Sequence, residues 1–364
     1  MARIEAAQET RLAWVDVAKG LCILLVVLMH ATLGVEKAIG QETALNAFIE
    51  WARPFRMPDF FLISGLFLAA RIDRSWRSYL DSKVVHFAYF YVLWLTIQFA
   101  TKAPGMIGES GAAATLQDYL TSFFVPFGTL WFIYLLAVYF VVAKLLRPVP
   151  KWIVIAGAAA MHVAAPHTGV FIVDEFASRF VFFYSGYALA PAVFAFADRI
   201  RAVPALLAVA ALAAWAVLNA AAVHSGIALM PGPDLAFSYV GIGAVIAFSV
   251  LVTHRFAGRV LAYCGRNSIA VYLAFTLFMG PVRIVLLKLT GGAAPSAVAL
   301  ASAFAGVAGA LLLQWMVKGT RADFLFKRPD AFRLKAPAKE SEPVLPIRRE
   351  RRPTIRGAAP SVAG

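Results

Sequence analysis

The chain has 364 residues, of which 61% are hydrophobic and 15% are charged, and its formal net charge is +14. Soluble domains are nearer half apolar and a quarter charged, so this composition excludes an ordinary soluble protein and indicates a polytopic membrane protein. The basic charge has no nucleic-acid recognition motif with it, and Cys22 and Cys264 lack metal-ligand spacing. We therefore predict no nucleic-acid partner and no metal site.

Apolar stretches of roughly 20 residues, the length that crosses a bilayer as a helix, recur along the whole chain. They predict an all-α fold, a polytopic transmembrane helix bundle of about ten spans. The predicted spans are 13–35, 48–70, 84–101, 122–143, 152–167, 176–197, 202–223, 235–253, 262–288 and 293–317. The ninth of them is interrupted by Pro281 and Arg283.

Basic residues alternate between the two sides of the predicted bundle. The connections after the second, fourth, sixth and eighth spans carry Lys and Arg, whereas the connections between them are poorer in basic residues. Because cytoplasmic loops carry an excess of Lys and Arg, both termini are predicted to be cytoplasmic. The predicted units are a cytoplasmic segment at 1–12, a membrane domain at 13–320 and a basic, disordered cytoplasmic tail at 321–364.

The first predicted span carries ionisable residues on one helical stripe. At about 100° per residue, Lys19 and His30 both lie within about 60° of Asp16, and about 16 Å of helix separates Lys19 from His30. Ionisable groups inside a membrane are costly and usually face a bundle interior or a wet cavity, so the stripe indicates a functional path. The same residues also fit a bland interpretation: an interfacial pair with a snorkelling lysine, and a packing histidine.

Further motifs follow in chain order. Residues 57–65 read MPDFFLISG, Arg71 and Arg74 come next, residues 130–132 read LWF, and residues 265–272 read GRNSIAVY. Together with Lys19 and His30, they make the chain resemble the acyltransferase-3 family of integral membrane acyltransferases. The matching family patterns are Lys/Arg-x10-His, MP-x-FF-x-x-SG, Arg-x-x-Arg, LWF, and a late Gly-x-x-Ser-x-x-x-Tyr at Gly265, Ser268 and Tyr272.

The resemblance covers roughly residues 11–315 and implies a fold of ten spans. The chain departs from the family pattern at three positions. Arg56 stands where many members have histidine before Met-Pro, Asp59 replaces a usual apolar residue, and Phe275 replaces a histidine often seen after the late Tyr-Leu.

The resemblance implies transfer of an acyl group, acetyl or succinyl, from acyl-CoA to a hydroxyl of an envelope glycan, lipid-linked sugar or exported molecule. Acyl transfer needs a base for the attacking hydroxyl, and an imidazole suits that task. His30 is predicted to be the general base or a transient acyl carrier, with Asp16 and Lys19 organising the donor entrance. Acyl-CoA is the expected co-substrate, with no bound cofactor, in a multi-pass protein of a bacterial inner membrane.

Two groups of residues are predicted to bind the substrates. Coenzyme A carries phosphates, which arginine forks bind well, so the cytoplasmic Arg71, Arg74, Arg77 and Lys83 are the expected acyl-CoA site. These four also fit a role in topology alone. The expected acceptor residues on the opposite side are Arg53, Arg56, Asp59, Trp131, Glu175 and Arg179.

Bland alternatives exist on the acceptor side as well. Trp131 suits stacking on a sugar face or anchoring at the membrane interface. Glu175 and Arg179, four residues apart, also fit a simple mutual ion pair.

Two other functions fit a charged stripe in a membrane helix: a transporter or flippase of an envelope precursor, and a non-catalytic scaffold. A transporter works without acyl-CoA and leaves the mass of its substrate unchanged. A scaffold tolerates His30→Ala. The order of the motifs favours the acyltransferase.

Overall fold

The computed structural model describes residues 2–334, and within that range it contains helices and no β-strand. The α-helices are α1 Ala2–Ile39, α2 Asn46–Trp51, α3 Arg53–Gly65, α4 Trp76–Leu80, α5 His86–Ser110, α6 Ala112–Thr121, α7 Trp131–Leu145, α8 Lys151–Ala164, α9 Phe171–Ala188, α10 Ala190–Ala202, α11 Ala205–His224, α12 Pro233–Val252, α13 Phe256–Arg266, α14 Ser268–Thr290 and α15 Pro295–Val317. A π-helical turn, Asp81–Val85, joins α4 to α5.

Seven helical segments of the described residues are long and apolar enough to cross a membrane. They are Leu12–Ile39, Trp76–Ser110, Gly128–Leu145, Ala205–His224, Pro233–Val252, Ser268–Thr290 and Pro295–Val317. An eighth is added if α9 and α10, bent by 74°, count as one broken span. The predicted all-α membrane bundle is confirmed, while the count of ten and the cytoplasmic placement of the termini stay predictions.

Two predicted spans are interrupted in the structure. The span predicted at 176–197 breaks at Leu189, because Pro191 in the first turn of α10 has no backbone N–H to donate to the preceding turn and its ring clashes with the carbonyl four residues earlier. The span predicted at 262–288 breaks at Asn267, whose side-chain amide donates to the carbonyl of Tyr263 and so occupies an acceptor at the end of α13. The first interruption leaves α9 and α10 as a bent pair, whereas α14, after the second, is still long and apolar enough to cross a membrane.

Helix α1 packs against α3, α12, α13, α14 and α15. Its contact with α13 depends on two glycines, since a Cβ on Gly20 would overlap the carbonyl of Leu261, and one on Gly265 would overlap the carbonyl of Asp16. Small residues allow membrane helices to approach this closely. The glycine beside Lys19 and the glycine of the late motif therefore form one helix crossing.

A second close crossing joins α3 to α9. A Cβ on Gly65 would overlap the carbonyl of Phe183, and one on Gly186 would overlap the carbonyl of Leu62. Gly65 ends both α3 and the MP-x-FF-x-x-SG motif. The crossing fixes α3 between α1 and α9, with Arg53 and Arg56 at one end and the connection to Arg71 at the other.

The first residues of the predicted tail are folded. Arg328 donates to the carbonyl oxygen and to the Oδ2 of Asp81, each at 2.7 Å, and Trp94 Nε1 donates to the carbonyl of Leu325 at 2.9 Å. The disorder predicted from residue 321 onward is therefore wrong for 321–334, because a buried arginine and aromatic side chains hold this segment on α5. The remaining predicted tail, 335–364, lies outside the described residues.

Candidate functional site

Asp16 and Lys19 form a loose pair on α1. Lys19 Nζ lies 3.8 Å from Asp16 Oδ1, and both side chains are about one-third exposed at 31%. The Lys19 ammonium also lies 5.5 Å from the centre of the Phe67 ring, just beyond the end of α3. Lys19 therefore faces the connection that carries Arg71 and Arg74.

Lys83 lies among the cations that the sequence predicts to face the cytoplasm. The positive charges of Arg71, Lys19 and Arg74 all act on its ammonium, which lies 4.4 Å from the centre of the Phe140 ring. Lys83 occupies the π-helical turn between α4 and α5, and such turns are frequent at functional sites. We call Lys19, Arg71, Arg74 and Lys83 the basic cluster. It contains three of the four residues predicted to bind acyl-CoA.

Arg77, the fourth predicted residue, points elsewhere. Its Nε and Nη2 donate to the carbonyl of Leu334 at 3.2 and 2.9 Å. The structure therefore places Arg77 on the folded C-terminal segment, as a tether for it, and not with the basic cluster.

Lys144 is a residue that the sequence motifs did not single out. It is buried at the end of α7, and its ammonium donates to the carbonyls of Ile72 at 2.6 Å and Arg74 at 2.7 Å. These bonds fix the backbone of the connection between α3 and α4. Lys144 therefore stabilises the connection that carries Arg71 and Arg74 of the basic cluster. Its position at the last apolar turn of a span is the only sequence signal for this role.

His30 lies farther along α1, beside Phe275 of α14. The two ring centres are 5.6 Å apart, and the charge of Arg56 acts on the imidazole. Phe275 is the position where family members often have histidine, so the departure noted in the sequence adjoins the predicted base. His30 thus lies beside an apolar ring and within the field of the Arg56 guanidinium.

Asp59 does not face the acceptor side directly. It is fully buried, and its Oδ2 accepts a hydrogen bond from Cys22 Sγ of α1 at 2.6 Å, while its Oδ1 has no partner. Cys22 lies between Lys19 and His30 along α1. No pattern in the sequence predicts this contact, because Cys22 and Asp59 lie on different helices, 37 positions apart.

Three of the other predicted acceptor residues, Trp131 of α7 and Glu175 and Arg179 of α9, lie together. Arg179 pairs with Glu175, as the spacing allowed, and its guanidinium lies 5.1 Å from the centre of the Trp131 ring. Arg53 is exposed and pairs with Glu50 at 3.0 Å. The structure thus joins Trp131, Glu175 and Arg179 in one group.

A hydrogen-bonded pair of His162 and Asp234, which the sequence motifs did not indicate, supports the group of Trp131, Glu175 and Arg179. His162 of α8 contacts Asp234 Oδ2 of α12 through Nε2 at 2.9 Å and the carbonyl of Ser178 through Nδ1 at 2.6 Å. Ser178 immediately precedes Arg179. His162, Asp234 and Ser178 lie on three separate helices, so no local sequence motif predicts their contacts.

Comparisons with known proteins bear on the family of the chain. A family model described as an acyltransferase domain, that of acyltransferase 3, matches residues 12–315. The chain is 28% identical over 184 residues to the "Inner membrane protein YcfT" of Escherichia coli (strain K12), covering 43% of this chain and 51% of that protein, so the match spans about half the length of the relative. No solved structure matches. The membrane-length helices agree with the multi-pass membrane location predicted from the sequence.

Proposed function

The chain belongs to the acyltransferase-3 family, and on that premise we propose that it is a membrane O-acyltransferase of the bacterial inner membrane. It moves an acyl group, acetyl or succinyl, from cytoplasmic acyl-CoA to a hydroxyl of an envelope glycan, lipid-linked sugar or exported molecule. The observation that carries the proposal is that one helix, α1, contributes both Lys19 of the basic cluster and His30.

The basic cluster binds the phosphates of the donor. Two arginines and two lysines from α1, the connection after α3 and the π-helical turn converge there. Guanidinium and ammonium groups are the usual partners of phosphate oxygens. The pantetheine arm of coenzyme A is a long extended chain, so phosphates held at this cluster are compatible with a thioester lying deeper along α1, towards His30.

His30 acts at the reacting carbonyl. As general base it removes the proton of the acceptor hydroxyl while the hydroxyl oxygen attacks the thioester carbon. The new C–O bond forms, the C–S bond breaks, and the proton goes to the departing thiolate of coenzyme A. In the acyl-carrier variant, the imidazole itself takes the acyl group first and then passes it to the hydroxyl.

The acceptor lies against Arg179, Glu175 and Trp131. Because the Arg179 guanidinium lies over the Trp131 ring, we place the hydroxyl groups of the acceptor against the Arg179–Glu175 ion pair. We assign Asp59 no direct contact with the acceptor, since it is fully buried against Cys22. Arg77 is likewise left out of the donor site because it binds Leu334.

The experiment that tests the proposal compares the envelope glycans and lipids of the source cell, by mass spectrometry, with and without this gene. The null strain is complemented with the wild type or with His30→Ala. We expect loss of an acetyl- or succinyl-sized mass that only the wild type restores. Glycans of unchanged mass but altered location would instead support a transporter. Restoration by His30→Ala would overturn the role of His30.

A further inference from the structure

Arg56 is a buried cation at the start of α3. Its side chain is 7% exposed, its Nη1 donates to the carbonyl of Ile49 at 3.1 Å, and its Nε has no hydrogen-bond partner. Its charge acts on His30 of α1. Arg56 is therefore a buried charged group whose field reaches His30 and whose hydrogen-bonding capacity the protein satisfies incompletely.

The carboxylates around Arg56 are each engaged with another group. Glu50 pairs with Arg53 at 3.0 Å, Glu175 pairs with Arg179, and Asp59 accepts from Cys22 through Oδ2 while its Oδ1 has no partner. Among residues 2–334, no carboxylate lies within ion-pair distance of Arg56. The negative charge of Glu50 acts on Arg56 from farther away, and Arg53 and Arg179 add positive charge in its surroundings. The local balance of charge thus favours one additional anion.

An arginine removed from water without a counter-charge carries a large desolvation penalty, and ionisable groups inside a membrane bundle normally have a partner. The planar guanidinium matches a carboxylate through two parallel N–H···O bonds. We infer that Arg56 binds a carboxylate carried by one of the substrates, and that this contact selects the substrate. The inference rests on the proposed acyl transfer and names the chemical class of its substrate.

Two sources of such a carboxylate are compatible with the position of Arg56. One is the free carboxylate of a dicarboxylic acyl group such as succinyl, which only two methylene groups separate from the thioester carbonyl that His30 serves. The other is the carboxylate of an acidic sugar in the acceptor. Both place the anion beside the reacting centre, and the experiments below separate them.

The first experiment measures binding without turnover. The full chain in lipid nanodiscs is heated with succinate or glucuronate, and with acetate or glucose as controls, and the unfolding midpoint is recorded. We expect one of the two anionic probes to raise the midpoint of the wild type but not of Arg56→Gln, with partial recovery in Arg56→Lys. The matched control is Arg259→Gln, an exposed arginine on α13, which should respond like the wild type.

The second experiment measures transfer in membranes. Initial rates are compared for succinyl-CoA against acetyl-CoA, and for acceptors with and without a uronic acid. We expect the wild type to prefer one carboxylate-bearing substrate by about 10- to 100-fold in kcat/KM, and Arg56→Gln to erase that preference. A preference among donors assigns the carboxylate to the acyl group, and a preference among acceptors assigns it to the sugar.

The outcomes separate this inference from the proposed function. If the wild type transfers acyl groups and Arg56→Gln loses the same fraction of kcat/KM on every substrate, Arg56 supports the reaction without recognising a carboxylate. That result would leave the proposed function intact and overturn this inference. Unchanged selectivity in Arg56→Gln would overturn it as well. If the wild type transfers nothing from either donor while anion binding still depends on Arg56, the proposed function fails and the anion site stands.

Discussion

The two ends of the functional stretch of α1 handle charge in opposite ways. At the Lys19 end, the basic cluster brings the charges of Lys19, Arg71 and Arg74 to bear on Lys83, and Asp16 pairs loosely with Lys19. At the far end, cations alternate with carboxylates. Arg53 pairs with Glu50 and Arg179 with Glu175, whereas Arg56 has no carboxylate within ion-pair distance among the described residues. Concentrated like charge is unfavourable by itself and suits a ligand with several negative charges, whereas paired charges suit a mostly neutral ligand with one anionic group.

The supports of the two ends differ in the same way. Lys144 holds the backbone of the connection that carries Arg71 and Arg74, and a π-helical turn presents Lys83, so three of the four residues of the basic cluster stand outside regular α-helix. Trp131 stands instead on the first turn of α7, and Arg179 lies within α9. A donor with a long flexible arm tolerates the first kind of support, and stereospecific attack by a hydroxyl requires the second.

The largest expected effect comes from the residue that joins the two ends. His30→Ala and the more conservative His30→Gln should lower transfer by about 100- to 10,000-fold, because a positioned general base contributes that much to the rate. The measurement is the initial rate in membranes, normalised to the amount of inserted protein. Wild-type rates in both variants would remove His30 from the chemistry.

A smaller effect is expected at the helix crossing beneath the basic cluster. Gly20→Ala places a Cβ against the backbone of α13 and should destabilise the protein by about 1–3 kcal/mol. Gly280→Ala on α14 is the matched control, since a Cβ there meets open space, and it should be neutral or slightly stabilising. Thermal unfolding in detergent compares the two. Equal midpoints would show that α1 and α13 are less tightly packed than described.

The contrast between Arg71 and Arg77 tests the donor end. Arg71→Ala should raise the KM for acyl-CoA by about tenfold with a smaller change in kcat, because a charge-assisted phosphate contact is lost. Arg77→Ala should change that KM much less, since Arg77 binds Leu334. The reverse order would return Arg77 to the donor site and reduce Arg71 to a residue that sets topology.

Much of this arrangement was predictable from the sequence, and the rest depends on contacts across helices. Helical periodicity placed Asp16, Lys19 and His30 on one stripe, and composition predicted the membrane bundle. The hydrogen bond between Cys22 and Asp59 was not predictable, because it joins residues 37 positions apart on two helices whose register is set by packing. Lys144 was missed for the same reason, since a lysine at the end of a span also fits the positive-inside rule.

The smallest expected effect lies at the far end, where His162 contacts the residue before Arg179 and so supports the group of Trp131, Glu175 and Arg179. His162→Gln keeps one donor but loses contact with either Asp234 or Ser178, which loosens the turn before Arg179. We expect the KM for the acceptor to rise a few-fold, on the order of one weakened hydrogen bond, with the KM for acyl-CoA unchanged. Asp234→Asn should shift the same constant in the same direction by less, because Ser178 keeps its contact. If His162→Gln instead raised the KM for acyl-CoA, the two ends of α1 would be coupled through the bundle. The assignment of donor binding to one end and acceptor binding to the other would then be wrong.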